Sequence, residues 1–214
     1  MRSQIEDLLG SQKHPVIVDV GAYTGQGAKA YAKQYPNGTI YAIEACPINY
    51  KILQKRVSSL KNVVPCNCAI SDVSGVIPFY YASRKKIEGT SQCNSLYEKF
   101  VSKKSWVDNS KMVEVQALTM DDFYKAHKID RVTLLDINAE GAEYQIFPGD
   151  LDFLKRTDMI YVMFHCKKGL FSKPEFEQKR SDIYARLKNA GLSMVCGVMA
   201  TKSDKHIPQL WTKP

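Results

Sequence analysis

The chain has 214 residues, enough for one domain of ordinary size with a full hydrophobic core. Hydrophobic residues make up 44% and charged residues 24%, a globular balance, and no apolar run approaches the length of a membrane span. Lysine and arginine exceed aspartate and glutamate by 30 to 22, which favours an acidic partner such as nucleic acid, phosphate or a nucleotide-sugar product. The excess does not demand one, because much of it lies at 84–86, at 99–106 and along helices, where a solvated face accounts for it.

The first stretch, MRSQIEDLLGSQKHP, has acids where a signal peptide needs its apolar core, so it reads as a short amphipathic helix of a cytoplasmic protein. It begins close to the fold, and a domain cut from a longer polypeptide is the alternative. Strand follows at 15–21 (PVIVDVG), helix at 25–35, a turn at 36–38 (PNG), strand at 39–45, and a helix at 47–60 with Pro47 in its first turn. A third strand covers 62–71. A turn at 72–75 leads into VIPFYYAS, one arm of a hairpin. Residues 84–110 are polar, basic and aperiodic, and are expected to be an acceptor loop or lid. An alternating strand at 112–118 precedes a helix capped by Thr119. Buried strands at 131–137 and 157–165 follow. A long helix at 173–191 has Gly191 at its C-cap, and strands at 192–200 and 206–212 close the chain, the last antiparallel. The six cysteines (46, 66, 68, 93, 166 and 196) match no zinc spacing and are expected as reduced, partly buried thiols.

This alternation describes a single α/β domain over 1–214, with a mostly parallel sheet and helices on both faces. In such sheets ligands sit at the carboxyl ends of the strands, so the residues just past each strand carry the information. The first strand ends DVGAYTGQG. Asp19, Gly21 and Gly25 follow an apolar run there, with Ala22 and Tyr23 inside the loop. Glycines let a ligand lie against bare backbone, and the next helix aims its free N–H groups at the same place. The sequence GQGAKA has dinucleotide-type spacing but starts four residues too late for that fingerprint. Glu44, with Ala45 after it, ends the second strand about 20 residues beyond the glycine loop, where an acid can accept the hydroxyls of a ribose. Ser71 and Asp72 end the third strand within reach of an adenine; a surface turn acid is the plain alternative for Asp72.

The segments VIVDVGAYTGQGAKAYA, YAIEACPINYKIL, NVVPCNCAISDVSGVIPFY and LLDINAEGAE together resemble the FkbM-type methyltransferases over roughly residues 15–165. The resemblance implies a class I methyltransferase fold, Rossmann-like, with a seven-stranded sheet and an antiparallel last strand. It implies S-adenosylmethionine (SAM) as cofactor, S-adenosylhomocysteine as product, and cofactor roles for Asp19, Gly21, Gly25, Glu44 and Asp72. Many members O-methylate sugars. Where the family usually reads Lys-Ile-Asp-Val-Glu-Gly-Ala-Glu, this chain has Asp136 to Glu143, with Asp136 for the lysine and Asn138 for the aspartate. Met163 stands two residues before His165, in the place of a family acid. The cofactor half is typical and the catalytic half is edited.

An alcohol needs a base or a metal to yield its proton. Asp136 and His165 are the candidate bases, expected to face one crevice, with Asp136 also touching the cofactor. Asn138 can orient a hydroxyl but cannot deprotonate it. Glu140 lies between capping and catalysis, and Glu143 reads as a helix-dipole partner. A divalent metal on Asp136, Asn138, Glu140 and His165 is the second choice. Ser91, Asn94, Tyr97 and Trp106 are candidate acceptor contacts, with hydroxyl, amide and aromatic groups that suit a sugar ring. The expected function is O-methylation of a sugar hydroxyl, such as that of a terminal deoxyhexose in a glycan, with glycosyltransferase modules as partners in the pathway or chain. Nucleic acid is disfavoured, because no RNA-binding motif is visible. The alternatives are ribose methylation of RNA, and SAM binding without catalysis.

Overall fold

The computed structural model describes residues 2–10, 12–84, 87–88, 94–98, 101, 109–147, 151–166, 173–197 and 206–214. Its main sheet has seven strands in the order β10-β11-β9-β8-β1-β2-β3. The parallel ones are β1 (Val16–Val20), β2 (Thr39–Ile43), β3 (Val63–Cys66), β8 (Val132–Ile137) and β9 (Thr157–His165). β11 (His206–Thr212) runs antiparallel between β9 and β10 (Ser193–Gly197). From β1 the chain winds outward to β2 and β3, then returns to the other side of β1 at β8. The strand order therefore reverses between β1 and β8, which opens a crevice at their carboxyl ends.

The central strands β1, β2, β8 and β9 are largely buried on both faces, so their sequences are apolar, branched runs rather than alternating ones. Ile17, Leu134 and Met159 pack on one face, beneath α1 (Arg2–Leu9), α2 (Gln26–Gln34) and α3 (Pro47–Val57). Val18, Leu135, Ile160 and Val162 pack on the other, with α4 (Met120–Ala126), α5 (Glu143–Ile146), α6 (Asp152–Lys155) and α7 (Pro174–Asn189). Thr119 caps α4 as expected, its hydroxyl accepting the Asp122 N–H at 3.1 Å. Gly191 lies one position beyond the cap, Ala190, at φ 83, the left-handed conformation that ends helices cheaply only at glycine. Among the described residues no helix is long and apolar enough to cross a membrane.

The expected third strand at 62–71 is two strands. β3 stays in the main sheet as its edge, where Pro65 needs no ladder donor. The chain then breaks at Asn67, whose amide donates to the Glu44 carbonyl at 2.8 Å, and β4 (Ala69–Ile70) joins a second sheet. That sheet, β4-β7-β5-β6, is built on the long antiparallel pair β5 (Gly75–Arg84) and β7 (Asn109–Leu118), with β6 (Ile87–Glu88) outside β5. The expected lid at 84–110 is thus the connection between two strands of this pair. Its described part at 94–98 folds back so that Ser95 and Tyr80 exchange backbone bonds at 2.9 Å.

β11 is held by a buried polar chain. Trp211 stacks on Tyr184 with ring centroids 5.7 Å apart, its indole N–H donates to Gln209 at 3.0 Å, and the Gln209 amide donates to the Tyr184 hydroxyl at 2.9 Å. Trp211→Ala leaves a large void in this layer and takes the indole donor from the buried Gln209 oxygen. Urea unfolding should show a loss of about 3–5 kcal/mol.

Candidate active site

The site starts at Gly21. Its N–H and that of Ala22 both donate to the Ile43 carbonyl, at 3.0 and 2.9 Å, so the loop after β1 is sewn to the end of β2. Gly21 sits at φ 89, and a Cβ there would collide with the Asn138 carbonyl at the end of β8. Only glycine allows the three strand ends this close. Gly25 (φ 80) is the N-cap of α2, and a side chain on it would press into Leu53 of α3. Arg56 of α3 fixes the loop between them, donating to both the carbonyl and the hydroxyl of Thr24.

Glu44 is buried at the end of β2. One carboxylate oxygen accepts the Tyr23 N–H at 2.8 Å; the other accepts the Cys46 N–H at 2.9 Å and the Asn49 amide at 3.4 Å. Burial pushes its carboxyl up to about 7, and those three donors pull it back. The carboxylate therefore clamps the glycine loop while lining a cavity whose walls include Ala45, Cys68, Ile70 and Phe79. An apolar-walled cavity with a carboxylate at its side suits an adenosine, since the oxygen bonded only to the Tyr23 N–H keeps a lone pair for a ribose hydroxyl. Asn94, Asn138 and Glu140 add polar groups to the lining of the same cavity.

A second cavity meets the first at Gly21, Tyr23 and Asn138, and is lined also by Asp19, Ala22, Tyr31, Asp136 and Tyr161. Asp19 and Asp136 are register partners on β1 and β8. Burial raises the Asp19 carboxyl well above the usual carboxylate range, and the neighbouring Asp136 and Glu44 raise it further. The Tyr31 hydroxyl donates to Asp136 at 2.7 Å. This cavity suits a cationic group such as the ammonium of an amino acid.

His165 does not share the crevice of Asp136. Asp136 lies beside Tyr161, four positions before His165 along β9, a separation of roughly 13 Å at strand rise. His165 is buried between two acids instead, with Nε2 3.3 Å from Glu140 and Nδ1 3.0 Å from Glu143. Burial alone would lower the imidazole, but the two carboxylates outweigh it and push it up to about 10. Two carboxylates this close favour the protonated ring, which speaks against the expected role of His165 as a base. Glu143, expected as a helix-dipole partner, is fully buried and also accepts the Ala139 N–H at 3.1 Å.

The sequence-based residues divide as follows. Gly21, Tyr23, Glu44, Ala45, Asn94, Asn138 and Glu140 line the first cavity; Asp19, Ala22 and Asp136 line the second. Ser71 and Asp72 line neither. They bond each other at 3.0 Å, and the Ser71 N–H pairs with Leu118, so Cys68 to Ile70 form the wall instead. Tyr97 packs edge-on against Phe176 rather than into either cavity. Ser91 and Trp106 lie outside the described residues. Among the described residues no three His, Cys, Asp or Glu side chains converge to hold a metal, and the ligand set drawn through both Asp136 and His165 is not assembled. Sequence reasoning missed Asn49, Phe79 and Leu96 in the first cavity and Tyr31 and Tyr161 in the second. Tyr31 had a legible signal, one turn into the helix after the glycine loop; Phe79 had none, because it comes from the other sheet.

The His165 pairing makes a pH prediction. A proton held more tightly in the folded chain stabilises it fully below the ordinary imidazole value of 6.5, and the gain fades as pH rises towards 10. The stability advantage of wild type over His165→Gln in urea titrations should be largest below pH 6.5 and shrink steadily towards pH 10.

The comparisons with known proteins agree with this geometry. The profile of the methyltransferase FkbM domain matches residues 19–191. The chain is 28% identical over 163 residues to methyltransferase sdnD of Sordaria araneosa, an alignment covering 67% of this chain and 63% of that protein. It is 24% identical over 164 residues to the 2-O-methyltransferase NoeI of Sinorhizobium fredii, covering 75% and 67%. The chain therefore spans about two thirds of the length of these relatives. A solved structure of a putative rRNA methylase from Clostridium thermocellum shares the fold, with a TM-score of 0.55 at 10% identity over 99% of this chain and 94% of that one. The matched profile covers most of the length, and the glycine loop, the acid on β2 and the turn after β8 all meet at one crevice: the chain belongs to the FkbM methyltransferase domain family, of class I fold and with SAM as its cofactor.

Proposed function

We propose that the protein is a SAM-dependent O-methyltransferase whose acceptor is a sugar hydroxyl. The observation that carries this reading is the first cavity, whose lining combines apolar walls and the Glu44 carboxylate with the amide and carboxylate groups of Asn94, Asn138 and Glu140. SAM, when bound, supplies an electrophilic methyl group on sulfur. Glu44 would then accept a ribose hydroxyl, Cys68, Ile70 and Phe79 would hold the adenine, and Asp19 and Asp136 would attract the ammonium of the amino-acid end. Gly21 keeps the strand ends close enough for one ligand to touch all of them. Much of the rate gain in methyl transfer comes from alignment of acceptor oxygen and donor methyl. Asn138 and Asn94 are placed to hold the acceptor by hydrogen bonds that a hydroxyl both gives and takes. The printed activity of NoeI, a 2-O-methyltransferase, supports transfer to oxygen.

The test is S-adenosylhomocysteine release from SAM against rhamnosides, fucosides, mannosides and a short RNA, each with and without EDTA. Release with a glycoside alone is the expected result. Release with RNA alone would replace the sugar reading with ribose methylation and make the charge excess of eight functional. Loss of release in EDTA would bring a metal into the chemistry.

Two outcomes are expected of the cofactor site. Glu44→Ala removes both the ribose acceptor and the clamp on Tyr23, and SAM titration calorimetry should show Kd raised about tenfold or more, which is ~1.4 kcal/mol. Because the Glu44 carboxyl is raised to about 7, its proton is lost only as pH passes neutrality, and the ionised form is the better acceptor. SAM affinity should therefore rise between about pH 6 and pH 8, and Glu44→Gln should flatten that rise. Linkage gives the opposite sign for the free protein: the contribution of this group to stability falls as pH climbs from 4.5 through 7.

A further inference from the structure

Glu143 is a carboxylate with no solvent exposure, one oxygen of which has no hydrogen-bond partner among the described residues. Burying an acid this way is costly unless something in the structure requires it. A helix dipole does not, because α5 has four residues and little dipole to offer. The other oxygen joins two groups. It accepts the Ala139 N–H at 3.1 Å, fixing the turn that carries Glu140, and it meets Nδ1 of His165 at 3.0 Å. Nε2 of the same ring reaches Glu140 at 3.3 Å. Glu140 is itself in an unusual state. It adopts φ 50, a conformation that a side-chain-bearing residue holds only when its surroundings force it. Gly141 follows at φ 104, and the Ser95 hydroxyl pins the Glu140 carbonyl at 2.7 Å. The result is an acid–imidazolium–acid chain running from the core to the wall of the first cavity.

We infer that Glu140 is the base that takes the acceptor's proton, and that Glu143 is a positioning residue acting on it through His165. This rests on the reading of the protein as a hydroxyl methyltransferase. Asp136 is displaced from that role by geometry, since it lines the other cavity, in register with Asp19 and bonded by Tyr31. In the step, the acceptor oxygen forms a bond to the methyl carbon while the S–C bond of the donor breaks. That electron pair stays on sulfur and gives neutral S-adenosylhomocysteine. The acceptor O–H proton passes to the Glu140 carboxylate, and charge balances, because one sulfonium cation and one carboxylate anion are consumed. A paired carboxylate is a weak base, but it need not be strong. The hydroxyl becomes sharply more acidic as its new O–C bond forms, so what matters is a carboxylate fixed in place and ionised. His165, kept charged by Glu143, supplies both conditions.

The experiment uses Glu140→Gln, Glu143→Gln and the double variant, with methyl glycosides of rhamnose, fucose and mannose as probes. It reads single-turnover S-adenosylhomocysteine formation, SAM Kd by calorimetry, and the ring nitrogens of His165 by ¹⁵N NMR. Glu140→Gln should slow transfer about 100-fold or more with SAM Kd within about twofold. Glu143→Gln should slow it about tenfold or more, again with SAM Kd kept, which also shows that the variant folds. The double variant should be no slower than Glu140→Gln, because one acts through the other. At about pH 8 the His165 ring should carry two protons in wild type and one in Glu143→Gln. Near-wild-type transfer by Glu140→Gln, multiplicative losses in the double variant, or a neutral His165 in wild type would each overturn the inference. If wild type binds SAM but forms no product with any of the three glycosides, the sugar reading fails. The ring protonation of His165 then decides the inference by itself.

Discussion

Gly21 occupies the point where a side chain would run into the Asn138 carbonyl, and the site depends on that close approach. Three strand ends, those of β1, β2 and β8, converge on one glycine: its N–H is bonded to Ile43, and Asn138 is bonded back to Val20 at 3.0 Å. The reversal of strand order opens the crevice, and the missing Cβ lets backbone form its floor. Everything chemical is hung from that floor. Glu44 clamps the loop from the β2 side, Asp136 stands beside Asp19 below it, and the turn through Glu140 rises above it.

The site concentrates buried acids in a chain that is basic overall. Asp19, Glu44 and Glu143 are all buried, and burial raises the carboxyls of the first two. Such groups cost folding stability, and they are a common mark of a place where charge has work to do. Each answers to a different charge. The Asp19–Asp136 pair faces a cavity suited to a cation, Glu44 uses its electrons on loop N–H groups and has a lone pair left for a hydroxyl, and Glu143 is matched by the ring of His165. The positive surface and the negative crevice are therefore separate features, and net charge says little about what the crevice takes in.

The second sheet turns an open crevice into a cavity. Phe79 on β5 lines the cavity with Cys68 and Ile70, and the segment at 94–98 is tied to β5 through Ser95 and to the turn after β8 through the bond from Ser95 to Glu140. Asn94 and Leu96 on that segment line the same cavity. Movement of the segment would loosen the grip on Glu140, so the lining of the cavity and the posture of Glu140 are mechanically coupled.

The strand and helix pattern was legible in the sequence because it rests on local causes: branched apolar runs for buried parallel strands, prolines in first turns, a threonine cap and a glycine at φ 83. Asp19, Gly21 and Glu44 were legible for the same reason, since a strand end fixes its own last residues in space. What lay beyond the sequence depends on pairing between distant segments. The break between β3 and β4 moved Ser71 and Asp72 out of the crevice and brought Phe79 in. The β8–β9 register set His165 well past Asp136 and against two glutamates, which favour its protonated form. Glu143 looked like a helix-start acid because α5 begins there, and only packing against β9 shows that it is buried. A single sequence fixes which residues stand at each strand's end; how far one strand slides against the next, and so which ends face each other, is decided by long-range packing alone.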